Sequence, residues 1–194
     1  MDTNSNLGEI IMLTIRQIDQ RDYPTGKKAM YKYQSDKYYE VQIEKVEMGW
    51  SLSLNEKSFT TPFVKELEGG IFEPYKEGSE VYVADFNGEE AAVMVVQKME
   101  WNNTLLIHDI YVDSRLKNKG IGSKLIGVAK KRANELGVRA ITLETQTSNY
   151  PAIQFYMKHG FELVGFNTIS YTNEDVQNNE VRIEMACIVE KSST

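Results

Sequence analysis

Between residues 81 and 99 the chain reads VYVADF, Asn87-Gly88, EEAAVMVVQKM. Two strand-like runs joined by Asn-Gly leave few options, because a tight type I′ turn needs positive φ at both central residues and Asn-Gly tolerates it best. The pair predicts an antiparallel hairpin. Asn102-Asn103 marks a second turn and Leu105 to Val112 a third strand, so the middle of the chain reads as a three-stranded meander.

The remaining segments are ordered around that meander. The first ten residues are polar and predict a flexible tail, with one domain over residues 11–194. Leu13 to Ile18 can begin a strand. Arg21 to Asp36 carries a helix-compatible pattern, and Tyr38 to Glu44 alternates with the period of two expected of a strand with one wet face. Residues 45–79, with two of the four prolines, read as loops carrying short helices or an extra strand. Beyond the meander, Leu125, Ile126, Val128, Ala129 and Ala133 recur at helical spacing up to Leu136, where Gly137 can end the helix. Arg139 to Glu144 is a strand, Pro151 to His159 a short helix opened by its proline, and Phe161 to Gly165 and Val181 to Val189 two further strands. The class is mixed α/β.

Composition excludes several functions. No run of about 18 apolar residues is present, and MDTNSNLGEI lacks the order of a secretory signal, so the reading is a soluble, cytoplasmic protein without a membrane partner. One cysteine, Cys187, and two histidines, His108 and His159, supply too few ligands for a zinc site, and no metal is expected. The net charge is −6, and from Asp36 to Glu90 thirteen acids face five lysines. Such a chain is not built to neutralise a nucleic-acid backbone. The acidic stretch is either a solvated surface or a field that attracts a cationic substrate.

Against this background RLKNKGIGSKL, Arg115 to Leu125, stands out. A strand ending in Ile110-Tyr111-Val112 leads through Lys117, Asn118, Lys119, Gly120, Ile121, Gly122 and Ser123 into the helix. Glycines let backbone N–H groups come close to a ligand, and a helix N-terminus offers unsatisfied donors and positive partial charge. The arrangement suits a pyrophosphate. It lacks the Gly-Lys-Ser/Thr of a P-loop and the three glycines of a dinucleotide fingerprint.

A second block, LETQTSNYPAIQFYMKHGFELVGF, narrows the reading. Together with the glycine loop it resembles the GNAT superfamily of acyl-CoA-dependent N-acetyltransferases. The family's loop reads Gln/Arg-x-x-Gly-x-Gly/Ala, with Lys117 here in the first position. The later pattern Asn-x-x-Ala-x-x-x-Tyr-x-x-x-Gly-Phe is met by Asn149, Ala152, Tyr156, Gly160 and Phe161. YYEVQIEKVEMGWSLS and SYTNEDVQNNE further resemble an antibiotic-acetylating branch of the family, over roughly residues 38 to 188.

The resemblance implies a central, mostly antiparallel sheet of about six or seven strands flanked by helices, with two strands splayed at an acetyl-CoA site. Acetyl-CoA is the implied co-substrate and a cationic primary amine the implied acceptor. Acetylation needs a neutral amine, yet a lysine-like amine has a pKa near ~10.4, so a general base is required. Glu144 is the first candidate, by a spacing to Tyr156 similar to that in a ribosomal-protein alanine acetyltransferase of the family; the plainer alternative is a polar residue ordering the next loop. His108 is the second, with packing on a half-buried strand as its alternative. Alternation places His108 and Asp109 on opposite faces. Tyr156 would protonate the leaving thiolate or hold its sulfur, or else be an aromatic of the core stripe. Asn149 would bond the pantetheine arm, cap the helix, or both. The exposed backbone of Ile110, Tyr111 and Val112 would receive the arm and the acetyl carbonyl. Tyr171 is placed near the acceptor by analogy. Protein or polyamine acetylation, and an acyl-CoA-binding module without turnover, remain alternatives, and a homodimer is left open.

Overall fold

A computed structural model describes residues 12–190; the expected tail over residues 1–10 lies outside them. Among the described residues the order is β1 (Leu13–Ile18), β2 (Lys28–Val46), β3 (Gly49–Gly70), β4 (Glu80–Phe86), β5 (Glu89–Met99), β6 (Thr104–Val112), α1 (Ile121–Leu136), β7 (Ala140–Gln146), α2 (Tyr150–Lys158), β8 (Glu162–Asn167) and β9 (Arg182–Ile188). Seven strands make one sheet in the order β1-β4-β5-β6-β7-β9-β8, and β2 and β3 pair separately. Only the β6–β7 pair is parallel; all other pairs are antiparallel. The expected mixed α/β sheet is therefore present, and its meander turns where the sequence says, with Asn87 at φ 53° and Gly88 at φ 87°.

Two features of the sheet position the site. The parallel ladder between β6 and β7 has only four rungs, from Thr104–Ala140 to Ile107–Leu143. Beyond them β6 stays with β5 and β7 stays with β9, and the two strands part. The second feature is a bulge. Val95 faces Asp109 but Val96 faces Ile107, leaving His108 as the extra residue. Ile107 and Ile110 thereby both reach the core beneath the helices. His108 and Asp109 both turn to the other face, toward Tyr75 and Lys76 of one 3-10 turn, which corrects the alternation expected from sequence.

The larger correction lies before the meander. Beyond the 3-10 turn Gln20–Asp22 the segment up to Asp36 is not helical, and β2, which contains the expected strand Tyr38–Glu44, pairs with β3, far longer than the extra strand allowed for residues 45–79, in one long hairpin. The period-two pattern of Tyr31, Tyr33 and Ser35 points inward while Lys32, Gln34 and Asp36 face out. Residues 59 to 62 stand against Asp36 alone, and Pro62 sits within this irregularity, where a missing N–H costs no ladder bond. The acids of this region are largely paired along the ribbon, including Glu68 with Lys28 at 2.6 Å and Glu56 with Lys37 at 2.5 Å, so the sequence's acidic stretch is mostly a laced surface.

Helix α1 buries Ile121, Leu125, Ile126, Ala129 and Ala133 against the sheet and stops at Gly137, whose φ of 61° suits glycine. Helix α2 adds Ile153 and Tyr156 to the same core. Arg132 fastens α1 to β4 through a forked contact with Glu80, at 2.9 Å to both oxygens from Nε and 2.7 Å from the terminal nitrogen. Burial pushes the Glu80 carboxyl up, but bonds from Arg132 and Tyr82 outweigh it and leave its pKa below the ordinary range. The Arg132–Glu80 contribution is thus full above the unfolded pKa of ~4.3 and is lost as pH falls through the folded value. Arg132→Ala should cost about 1 kcal/mol at neutral pH, since both groups are partly solvated. Urea unfolding checks this: the gap from wild type should close below about pH 4, and an equal gap there would refute the charge-based account.

Candidate active site

The turn before α1 is shaped to expose amides. Asn118 (φ 63°) and Gly120 (φ 78°) both adopt the left-handed region, which asparagine and glycine tolerate. Among the described residues, no backbone N–H from Lys117 to Ser123 finds a protein acceptor. Successive free amides at a helix N-terminus are a ready anion cradle. The basic side chains do less than their number suggests. Arg115 is tied to Asp113, and Lys119 lies over the Phe86 ring, 5.1 Å from its centroid. Lys117 turns its Nζ to the Lys32 carbonyl at 3.0 Å, and burial lowers its pKa.

From this cradle a cavity of about 500 Å³ runs to the place where β6 and β7 part. Its walls include Ile110, Tyr111 and Val112 of β6, the turn residues Lys117, Asn118 and Gly120 through Ser123, and Asn149, Ala152 and Tyr156 of the α2 end. Lys119 is the one residue of the turn outside that lining. Gly122 has a steric reason to be glycine: a Cβ there would lie 3.1 Å from Phe155 Cζ, and the ring would have to give by a few tenths of an ångström. Asn149 accepts from the Ala152 N–H at 3.4 Å, a long cap, and also lines the cavity.

The fourth wall was not foreseen. Tyr31, Lys32, Tyr33 and Gln34 of β2 close the cavity from the hairpin. Contacts that hold the ribbon in place beside the Lys117 bond include Tyr33 Oη to Ser148 Oγ at 2.8 Å, the Tyr39 N–H to the Thr147 carbonyl at 3.1 Å, Gln154 Nε2 to Tyr39 Oη at 3.0 Å and Tyr150 Oη to Glu56 at 2.7 Å. The signal available in the sequence was the alternation of aromatic and polar residues from Met30 to Gln34, overridden there by a helix-compatible composition.

Tyr156 is 7% exposed, belongs to the core and also lines the cavity, so its core and site readings hold together. Its phenol has no hydrogen-bond partner among the described residues. Burial first, then the negative charges of Asp109 and Glu144, raise its pKa and keep it protonated. Glu144 lies on the face of the sheet away from the helices. Tyr171 donates to its Oε2 at 2.6 Å and Arg182 Nε approaches to 3.2 Å. Its cross-strand neighbour is Glu184, and Arg182 reaches both carboxylates, relieving the repulsion of two like charges side by side. Tyr171, placed near the acceptor by analogy alone, thus meets the candidate base directly.

His108 is drawn elsewhere. Its Nε2 meets Gln97 Oε1 at 2.7 Å, its ring lies edge-on to Tyr75, and burial lowers its pKa. It does not line the cavity. Asp109, one residue on, pairs with the buried Lys76 at 2.5 Å.

Comparison with known proteins agrees with this geometry. The model of the acetyltransferase (GNAT) family matches residues 28–161. Streptothricin acetyltransferase of Escherichia coli is 32% identical over 127 residues, covering 59% of this chain and 71% of that protein. Among solved structures, nourseothricin acetyltransferase superposes with a TM-score of 0.73 at 25% identity, covering 92% of this chain and 99% of that one. A Bacillus anthracis str. Ames chain solved in complex with acetyl coenzyme A shares the fold, with a TM-score of 0.70 at 24% identity over 92% of this chain and 98% of its own. A seven-stranded sheet parted between its parallel strands, an amide cradle before α1 and a family match over most of the chain lead to one conclusion: the chain belongs to the GNAT family of acetyltransferases.

Proposed function

We propose that the protein transfers acetyl from acetyl-CoA to a primary amine of a cationic small molecule, with streptothricin as the acceptor its relatives' names suggest. The observation that carries the reading is the Tyr156 phenol, buried, protonated and without a partner among the described residues, at the end of a cavity whose other end is a row of free amides. The amides suit the pyrophosphate of the co-substrate, and the apolar walls suit its pantetheine arm. Beyond Ile107, β6 has no ladder on the β7 side, so a backbone N–H within Ile110–Val112 is free to stabilise the oxyanion.

In this reading Glu144 takes a proton from the acceptor ammonium, directly or through one water. The neutral nitrogen then forms the new C–N bond at the thioester carbon. As the C–S bond breaks, Tyr156 gives its proton to the departing sulfur and recovers one from the nitrogen, so one proton leaves to solvent and one ends on the thiol. The acidic pair Glu144 and Glu184 on the same face favours a cationic acceptor over a neutral one.

Purified protein offered labelled acetyl-CoA with streptothricin, spermidine and an N-terminal peptide should label streptothricin; labelling of the peptide alone would refute the acceptor. Tyr156→Phe should lower kcat about 100-fold or more while CoA affinity by calorimetry stays within about twofold. Wild-type turnover would remove its acid role. Gly122→Val should displace Phe155 and weaken CoA binding about tenfold. An unchanged Kd with a folded protein would show that this close helix contact does not shape the cavity.

A further inference from the structure

The phenol of Tyr31 is the clearest loose end in the molecule. Its Oη is buried and completes no hydrogen bond among the described residues. Burial, then the negative charge of Asp109 and a hydrogen-bonding approach to it, raise its pKa and hold it protonated, so it is a donor aimed at that carboxylate. It lies against the Asp109 carboxylate without completing a hydrogen bond to it. Its ring is fixed there: Tyr111 meets it edge-on at 5.5 Å, and a side chain on Gly69 would come within 2.9 Å of Cε2. Buried donors are normally paired, and one held just short of a carboxylate marks a contact still to be completed.

Asp109 supplies the second half. Its Oδ2 is held by Lys76, which also donates to the Gly70 carbonyl at 2.9 Å and is only 4% exposed at its side chain. Among the described residues Oδ1 receives no hydrogen bond. The bulge at His108 aims this carboxylate at the face that carries Glu144, two residues past the last rung of the parallel ladder. Tyr156 feels both charges, that of Asp109 more strongly than that of Glu144. Glu144 is already engaged by Tyr171 and Arg182.

We propose that Asp109 is the anchor for the acceptor's reacting ammonium, oriented by Lys76 and by Tyr31, whose phenol closes its hydrogen bond to the same carboxylate once the nitrogen is bound. The inference rests on the acetyl-transfer reading above and divides the work between two carboxylates: Asp109 holds the nitrogen beside the parted strands, and Glu144 removes its proton. Asp109 touches substrate, whereas Tyr31 is a positioning residue that acts through it. The class of ligand follows from the chemistry: a primary ammonium, a compact cation with three donors that can satisfy Oδ1 and still present one proton to a base.

The test uses wild type, Tyr31→Phe and Asp109→Asn, with saturating acetyl-CoA and varied streptothricin, followed by CoA calorimetry and thermal melting. Tyr31→Phe should raise the acceptor KM about tenfold and Asp109→Asn about 100-fold, with CoA Kd within about twofold in both. Tyr31→Phe removes a hydroxyl that bonds nothing, so a merely structural role predicts an equal or higher melting temperature and an unchanged acceptor KM. That result would overturn the proposal. Should Asp109→Asn fail to fold for want of a partner for Lys76, Tyr31→Phe still decides. A wild type that labels none of the amines removes the acetyl-transfer reading and the anchor with it, whereas an active wild type matched by Tyr31→Phe removes the anchor alone.

Discussion

The site depends on the early end of one ladder. Parallel strands joined by a helix ordinarily pair along their length, yet β6 and β7 share four rungs and then take other neighbours. Backbone groups that lose a ladder partner must be satisfied otherwise or face a ligand. On β6 these groups belong to Ile110, Tyr111 and Val112, which line the cavity. The opening between the strands also admits Tyr156 from the helix side, while the carboxylates of Glu144 and Asp109 bear on its phenol across the same gap. Helix α1 leaves from the end of β6, so the anion cradle and the gap are fixed relative to each other by a single connection.

Much of this was legible in the residues. The Asn-Gly hairpin, α1 with its terminal glycine and α2 with its Asn149 cap and early proline follow from local conformational rules, and the structure keeps them. Two glycines read together as one motif have separate causes, since Gly120 supplies a positive φ and Gly122 a close approach to Phe155. The bulge at His108 was not legible. A one-residue slip is set by how β5 and β6 pack, and nothing in LIHDIYV marks which residue is extra.

The hairpin of β2 and β3 escaped for a different reason. Its inward residues are tyrosines and a serine, its outward ones lysines and glutamates, and such a composition is as compatible with a helix as with a strand. What decides the matter is tertiary: the ribbon is held by Ser148, Thr147 and Gln154, residues more than a hundred positions away for Tyr33 and Tyr39. With only Tyr38 to Glu44 read as strand, the wall that the earlier part of the ribbon contributes, and Tyr31 with it, could not be placed.

The amide cradle has a consequence of its own. Its donors are peptide groups, with the side chains of Lys117, Lys119 and Arg115 turned to a carbonyl, a ring and a carboxylate. Peptide N–H groups do not titrate and carry no net charge, so a hold built from them keeps its strength across the pH range in which amines and imidazoles change state, and is screened less by salt than an ammonium cluster. The identity of most side chains in the turn is therefore free to drift, while the two left-handed backbone positions, Asn118 and Gly120, and the close-packed Gly122 are not.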